Sequence, residues 1–95
     1  MSLYSLALQA HSWYVIGPDG MPPDFVDAAH DALARDTEEE EDEMALTSLW
    51  HLQALLAREL SPACDAPMRP SDEARELQLQ VLRMIAMLEL HQLAY

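Results

Sequence analysis

The most restrictive feature of this 95-residue sequence is its last quarter, where two apolar stripes run along one predicted helix. In segment 72–93 apolar residues recur at steps of three and four, the spacing that places side chains on one face of an α-helix. A helix that is apolar on two faces either runs through the middle of the fold or meets another chain, and we expect central packing. The first stripe consists of Leu77, Val81, Met84, Ile85 and Leu88. The second consists of Leu79, Leu82, Ala86, Leu90 and Leu93.

The first segment, 3–16, also repeats apolar side chains at helical steps, which predicts a helix. Its end is ambiguous because the run Trp-Tyr-Val-Ile at 13–16 favours a strand. A helix end and a short hairpin over 12–22 are therefore both compatible with the sequence.

The two middle segments carry helix-start signals. Segment 23–35 opens with Pro23, whose fixed backbone angle suits the first turn of a helix. Segment 38–60 follows Thr37, which together with Glu40 three residues later matches a capping box. We therefore expect a helix over each of these segments.

Composition supports a helical fold. The chain has only two glycines and is 51% hydrophobic, which is typical of a folded, helix-rich chain and not of a disordered one. We predict an all-α, small up-and-down bundle of three to four helices, and a single helical domain over 1–95. The expected helices are at about 3–16, 23–35, 38–60 and 72–93.

The charge of the chain restricts its partners. Seventeen acidic residues against five arginines give a net charge of −12, which excludes direct binding to nucleic acid or to an anionic membrane. The sequence contains no Lys and no Asn, a bias typical of GC-rich bacterial or phage genomes. The lone Cys64, the absence of a signal-peptide pattern and the lack of a long apolar run lead us to expect a cytoplasmic protein.

Six consecutive acidic residues occupy positions 38–43. One or two carboxylates at a helix start stabilise the helix through its macrodipole, but six neighbours repel one another, so capping alone does not explain the run. Along a helix the run carries one charge per ~1.5 Å of axis, close to the ~1.7 Å per charge of duplex DNA. This density favours a surface that docks on a basic partner.

The preceding segment adds carboxylates at steps of three and four, hence on one face of its helix. If the second and third helices lie side by side, these acids and the run form one surface. We therefore expect a non-catalytic acidic protein that docks on and blocks a basic surface of a partner protein, such as a nucleic-acid-binding protein. Nucleic-acid mimicry, as used by phage-type inhibitors of host defence enzymes, is one form of this function. The candidate binding residues are Asp24, Asp27, Asp31, Asp36, Glu38, Glu39, Glu40, Glu41, Asp42 and Glu43.

The alternative function uses the apolar face of the last helix. In that case the protein is a helical chaperone, immunity or assembly subunit, or it forms a homodimer through this helix, and the acids keep it soluble. The candidate binding residues are then Leu79, Leu82, Met87, Leu90 and Leu93.

The sequence lacks the patterns of a catalytic, cofactor or metal site. The four histidines do not form an H-x-x-x-H pair, and Cys64 has no C-x-x-C partner. Consecutive carboxylates point about 100° apart on a helix and cannot converge on one ion. Two glycines are too few for a phosphate-binding loop. We expect no enzyme activity, no cofactor and no metal.

Overall fold

The computed structural model describes residues 3–15, 23–35, 39–61 and 71–93, apart from the side chains of Glu39 and Ser71. These residues form four α-helices and contain no strand, which confirms the predicted all-α bundle. The helices are α1 (Leu3–Val15), α2 (Phe25–Leu33), α3 (Glu39–Glu59) and α4 (Ser71–Leu93).

Helix α1 continues through the segment that favoured a strand. Trp13 and Tyr14 lie in the helix and are buried in the core, so packing outweighs their preference for extended backbone. The hairpin interpretation is therefore wrong for residues 12–15, and residues 16–22 lie outside the described part of the chain.

Helix α2 begins two residues later than predicted. Asp24 has extended backbone angles and its side chain accepts a 3.2 Å hydrogen bond from the Asp27 amide, so Asp24 is the N-cap and Pro23 precedes it. Helix α2 also ends two residues earlier than predicted, at Leu33. The limits of α1, α3 and α4 agree with the predicted limits to within one residue. The predicted capping residue Thr37 lies outside the described residues.

The helices pack in the order α1–α2–α4–α3 around the core. Close packing joins α1 to α2 and to α3, and α4 to α2 and to α3. Helices α2 and α3, although consecutive in the sequence, thus occupy a diagonal of the bundle. Helices α2 and α3 therefore do not pack side by side, and they do not form one continuous acidic face.

The relative directions of α2, α3 and α4 follow from two contacts. Asp42 at the start of α3 lies 4.0 Å from His91 at the end of α4, so these two helices are antiparallel. Phe25 at the start of α2 contacts Gln80 in the middle of α4. The connection from residue 33, at the end of α2, to residue 39, at the start of α3, spans at most about 21 Å. Because the start of α3 lies beside the end of α4, α2 must run toward the C-terminal end of α4. The end of α2, the start of α3 and the end of α4 therefore lie together.

The core is formed by one stripe from each helix. Helix α4 contributes Leu77, Val81, Met84, Ile85 and Leu88, as the sequence indicates, and α3 contributes Ala45, Leu49, Leu52 and Leu56. The expectation that α4 packs in the centre was wrong. Helix α4 lies at a corner of the bundle, and its second stripe faces outward. With only two close neighbours, α4 cannot bury both of its apolar stripes.

Gln80 links α2 to α4. Its side chain is buried, and its Oε1 accepts a 2.6 Å hydrogen bond from the Phe25 amide. The first amides of a helix have no partner within the helix, and Phe25 is itself buried, so this acceptor replaces water. A glutamine that interrupts an apolar run in the sequence is thus part of the junction between two helices.

We expect Gln80→Leu to lower the free energy of unfolding by about 1–3 kcal/mol, because the buried Phe25 amide loses its acceptor. Urea denaturation followed by circular dichroism measures the change. Gln92→Leu, the same change at an exposed glutamine of α4, is the matched control and should change the free energy of unfolding by less than about 0.5 kcal/mol. Equal stability of Gln80→Leu and the unmodified protein would contradict this role.

Candidate functional site

The acidic run does not point in one direction. Glu40 and Glu43 are exposed and Glu41 is half-buried, whereas Asp42 is buried at 4% exposure. Neighbouring helical residues point about 100° apart, so a run of this length always sends some carboxylates toward the core. The prediction that Asp42 is a partner-binding residue is thus wrong, because its side chain is buried. Asp36, Glu38 and the side chain of Glu39 lie outside the described structure.

Asp42 instead faces a side chain of another helix, α4. Its Oδ2 lies 4.0 Å from Nε2 of the half-buried His91, a distance that allows an ion pair when the imidazole is protonated. Asp42 also lies in the first turn of α3, where the positive end of the macrodipole favours a carboxylate. This contact lies where the start of α3 meets the end of α4.

The acids of α2 are all at the surface. Asp24, Asp27 and Asp31 are exposed, as the sequence predicts for an outward face. Asp24 also caps the helix, so one of these carboxylates has a structural role as well. From Asp24 to Asp31 the face extends about 10 Å along the helix axis.

The fold places one part of the predicted acidic surface at a single end of the bundle. The end of α2 and the start of α3 lie at the same end of the bundle, which places Asp31 at the same end as the exposed acids of α3. Asp24 and Asp27 lie farther away, at the start of α2. We call the set Asp31, Glu40, Glu41 and Glu43 the acidic end.

The outer stripe of α4 forms a second surface. Leu79, Leu82, Leu90 and Leu93 are 43%, 41%, 67% and 83% exposed, and Ala86 between them is exposed as well. Exposed leucines at scattered positions are ordinary, but four on one helix face form a contiguous apolar patch. We call the set Leu79, Leu82, Ala86, Leu90 and Leu93 the leucine face.

Met87 does not belong to the leucine face. It is half-buried and packs against the core, about a quarter-turn away from the outward stripe. Its part in binding an apolar partner stays a prediction. Two apolar side chains of α3, Met44 and Trp50, are exposed as well. Trp50 follows the core residue Leu49, and helical spacing alone does not resolve which edge of the core stripe of α3 faces solvent.

The histidines on α1 and α3 support packing. His11 Nε2 donates a 2.8 Å hydrogen bond to the Ser48 carbonyl, and the rings of His11 and His51 stack with centroids 5.7 Å apart. Across the described residues, no group of three or more His, Cys, Asp or Glu side chains is placed to hold a metal ion. Cys64 lies outside these residues.

Two further findings bear on function. Among the helices described here, none combines the length and hydropathy needed to cross a membrane. Comparison with protein-family models, with curated proteins and with solved structures finds no match to this chain. Any functional proposal must therefore rest on the two surfaces themselves, the acidic end and the leucine face.

Proposed function

We propose that this chain is a non-catalytic acidic protein that docks on and blocks a basic surface of a partner protein through the acidic end. The observation that carries the proposal is the exposure of Asp31, Glu40 and Glu43, with Glu41 half-exposed, at one end of a chain of net charge −12. A concentrated negative field attracts arginine- and lysine-rich surfaces and repels nucleic acid.

The burial of Asp42 limits the form that this function takes. With that carboxylate turned inward, the remaining carboxylates of residues 40–43 are spread over about 160° of the helix surface, so they do not form a single row of charges like a phosphate backbone. The proposal is therefore electrostatic docking on a basic surface, and it does not require the acids to reproduce the spacing of phosphates.

The test compares two triple variants of equal net charge. The first, Glu40→Gln, Glu41→Gln and Glu43→Gln, neutralises the three carboxylates that α3 contributes to the acidic end. The second, Asp72→Asn, Glu73→Gln and Glu76→Gln, neutralises three carboxylates at the start of α4, at the opposite end of the bundle. Both sets lie at the start of a long helix, so their effects on the macrodipole are alike.

We expect the acidic-end variant to bind a labelled arginine-rich peptide about 10-fold more weakly than the unmodified protein, since each exposed pair contributes about 0.2–1 kcal/mol. The α4 variant should lose much less. Fluorescence anisotropy measures both affinities, with circular dichroism to show that the variants are folded. Equal losses in the two variants would show that only net charge matters, and would refute a localised site.

A second candidate function, a helical chaperone, immunity or assembly subunit, is favoured by the exposure of the leucine face. Salt distinguishes the two. Binding through the acidic end should weaken steeply between about 50 and 300 mM salt, because exposed charges are screened over about 10 Å at 0.1 M. Binding through the leucine face should hold or strengthen over the same range.

A further inference from the structure

The leucine face is a narrow, continuous stripe. At 100° per residue its five members fall within an arc of about 80°, and they extend over about 21 Å of helix. The arc lies on the side of α4 opposite to Leu77, Val81 and Leu88, which are fully buried. The stripe is therefore shaped to receive another helix along its length.

The spacing of the stripe is symmetric about Ala86. Leu82 and Leu90 each lie four residues from Ala86, and Leu79 and Leu93 each lie seven residues away. A two-fold axis at Ala86, perpendicular to the helix, places Leu79 beside Leu93 of a second copy and Leu82 beside Leu90. Interfaces with two-fold symmetry require such a self-complementary surface.

We propose that α4 packs antiparallel against α4 of a second copy of this chain, with the two helices crossing at Ala86. The small side chain at the crossing point lets the helix axes approach to about 8–10 Å, the usual distance of packed helices. This inference does not depend on the acidic end having a basic partner.

Charge also favours a second copy at this face. Within 79–93 the charged residues are Arg83 and Glu89, whose formal charges cancel, although the whole chain carries −12. They flank the leucine face on opposite sides, at about 60° from its centre. This side of α4 therefore adds little to the repulsion between two copies.

Antiparallel packing separates the two acidic ends better than parallel packing does. Asp42, at the start of α3, lies beside His91, five residues beyond Ala86. In the antiparallel pair the two copies of this level are about 15 Å apart along the helix axis, whereas a parallel pair places them at the same height. Their remaining repulsion is screened by salt, so the dimer should tighten as salt rises.

Sedimentation velocity on the full chain tests the dimer. We expect conversion from a 10.7 kDa monomer to a species of twice that mass as concentration rises into the micromolar range. Leu90→Ser should weaken the dimer at least about 30-fold, since one substitution removes the contact twice. Leu8→Ser, the same change at an exposed leucine of α1, is the matched control and should leave the dimer unchanged.

Orientation is tested by cross-linking after Cys64→Ser. Leu79→Cys and Leu93→Cys are made in separate chains, one of them tagged so that a mixed product differs in mass. A short bis-maleimide should cross-link the mixture but neither variant alone, because only the antiparallel pair brings position 79 close to position 93. Cross-linking of each variant with itself would overturn the antiparallel arrangement.

Three other outcomes would overturn the proposal. The first is a monomer at all concentrations, which would assign the leucine face to a different partner. The second is a dimer that survives Leu90→Ser, and the third is a dimer that weakens as salt rises. Neutralising the acidic end must leave the dimer intact, so a failure of the proposed function is distinguishable from a failure of this one.

Discussion

Replacing Trp13 with Ala should lower the free energy of unfolding by about 3–5 kcal/mol, the cost of deleting a large buried aromatic side chain. Trp13 is 4% exposed and belongs to the core formed by all four helices. Small domains are stable by only about 5–15 kcal/mol, so this single change removes a large share of the total. Urea denaturation followed by far-ultraviolet circular dichroism gives the measurement.

Trp50 is the matched control for Trp13. It is 49% exposed on α3, and Trp50→Ala should change the free energy of unfolding by less than about 1 kcal/mol. Similar losses at the two positions would contradict the placement of Trp13 inside the bundle and Trp50 at its surface.

The second large effect contrasts the two faces of α4. Leu88→Ala should lower the free energy of unfolding by about 2–5 kcal/mol, because Leu88 is fully buried and its truncation leaves a cavity. Leu90→Ala, two residues away on the leucine face, should change it by less than about 0.5 kcal/mol. Both are measured by urea denaturation at a concentration where sedimentation shows a monomer, so that dimer contacts do not contribute.

A large loss on Leu90→Ala in the monomer would show that the leucine face is covered by the chain itself. A small loss on Leu88→Ala would show that the two stripes of α4 have been assigned to the wrong sides. The pair of variants therefore tests the orientation of the helix on which the dimer proposal depends.

The sequence predicted the helices well because their limits depend on local chemistry. Abundant leucine and alanine with only two glycines favour helices, and prolines occupy two of the three connections between the segments. Asp24 caps α2 through a bond between residues three apart, which a local pattern can indicate. The sequence around Trp13 also allowed a strand, but burial of the Trp13 side chain stabilises the helix.

What the sequence could not predict depends on which helices are neighbours. Spacing identified both stripes of α4, but not that α4 lies at a corner and leaves one stripe exposed. Nor could it show that Gln80 faces the first amide of α2, or that Asp42 turns inward toward His91. In each case a polar or apolar residue takes its role from a helix distant in sequence.

The short length of α2 links the layout of surface charge to the integrity of the core. A nine-residue helix is too short to persist in water by itself, so α2 exists only while it is docked on α1 and α4. Its carboxylates, Asp27 and Asp31 among them, are therefore arranged in space only as long as Phe25 stays seated beside Gln80. If the contact between Phe25 and Gln80 breaks, we expect the amides of α2 to exchange with deuterium before those of α3 and α4. The acidic surface should lose its order at the same time.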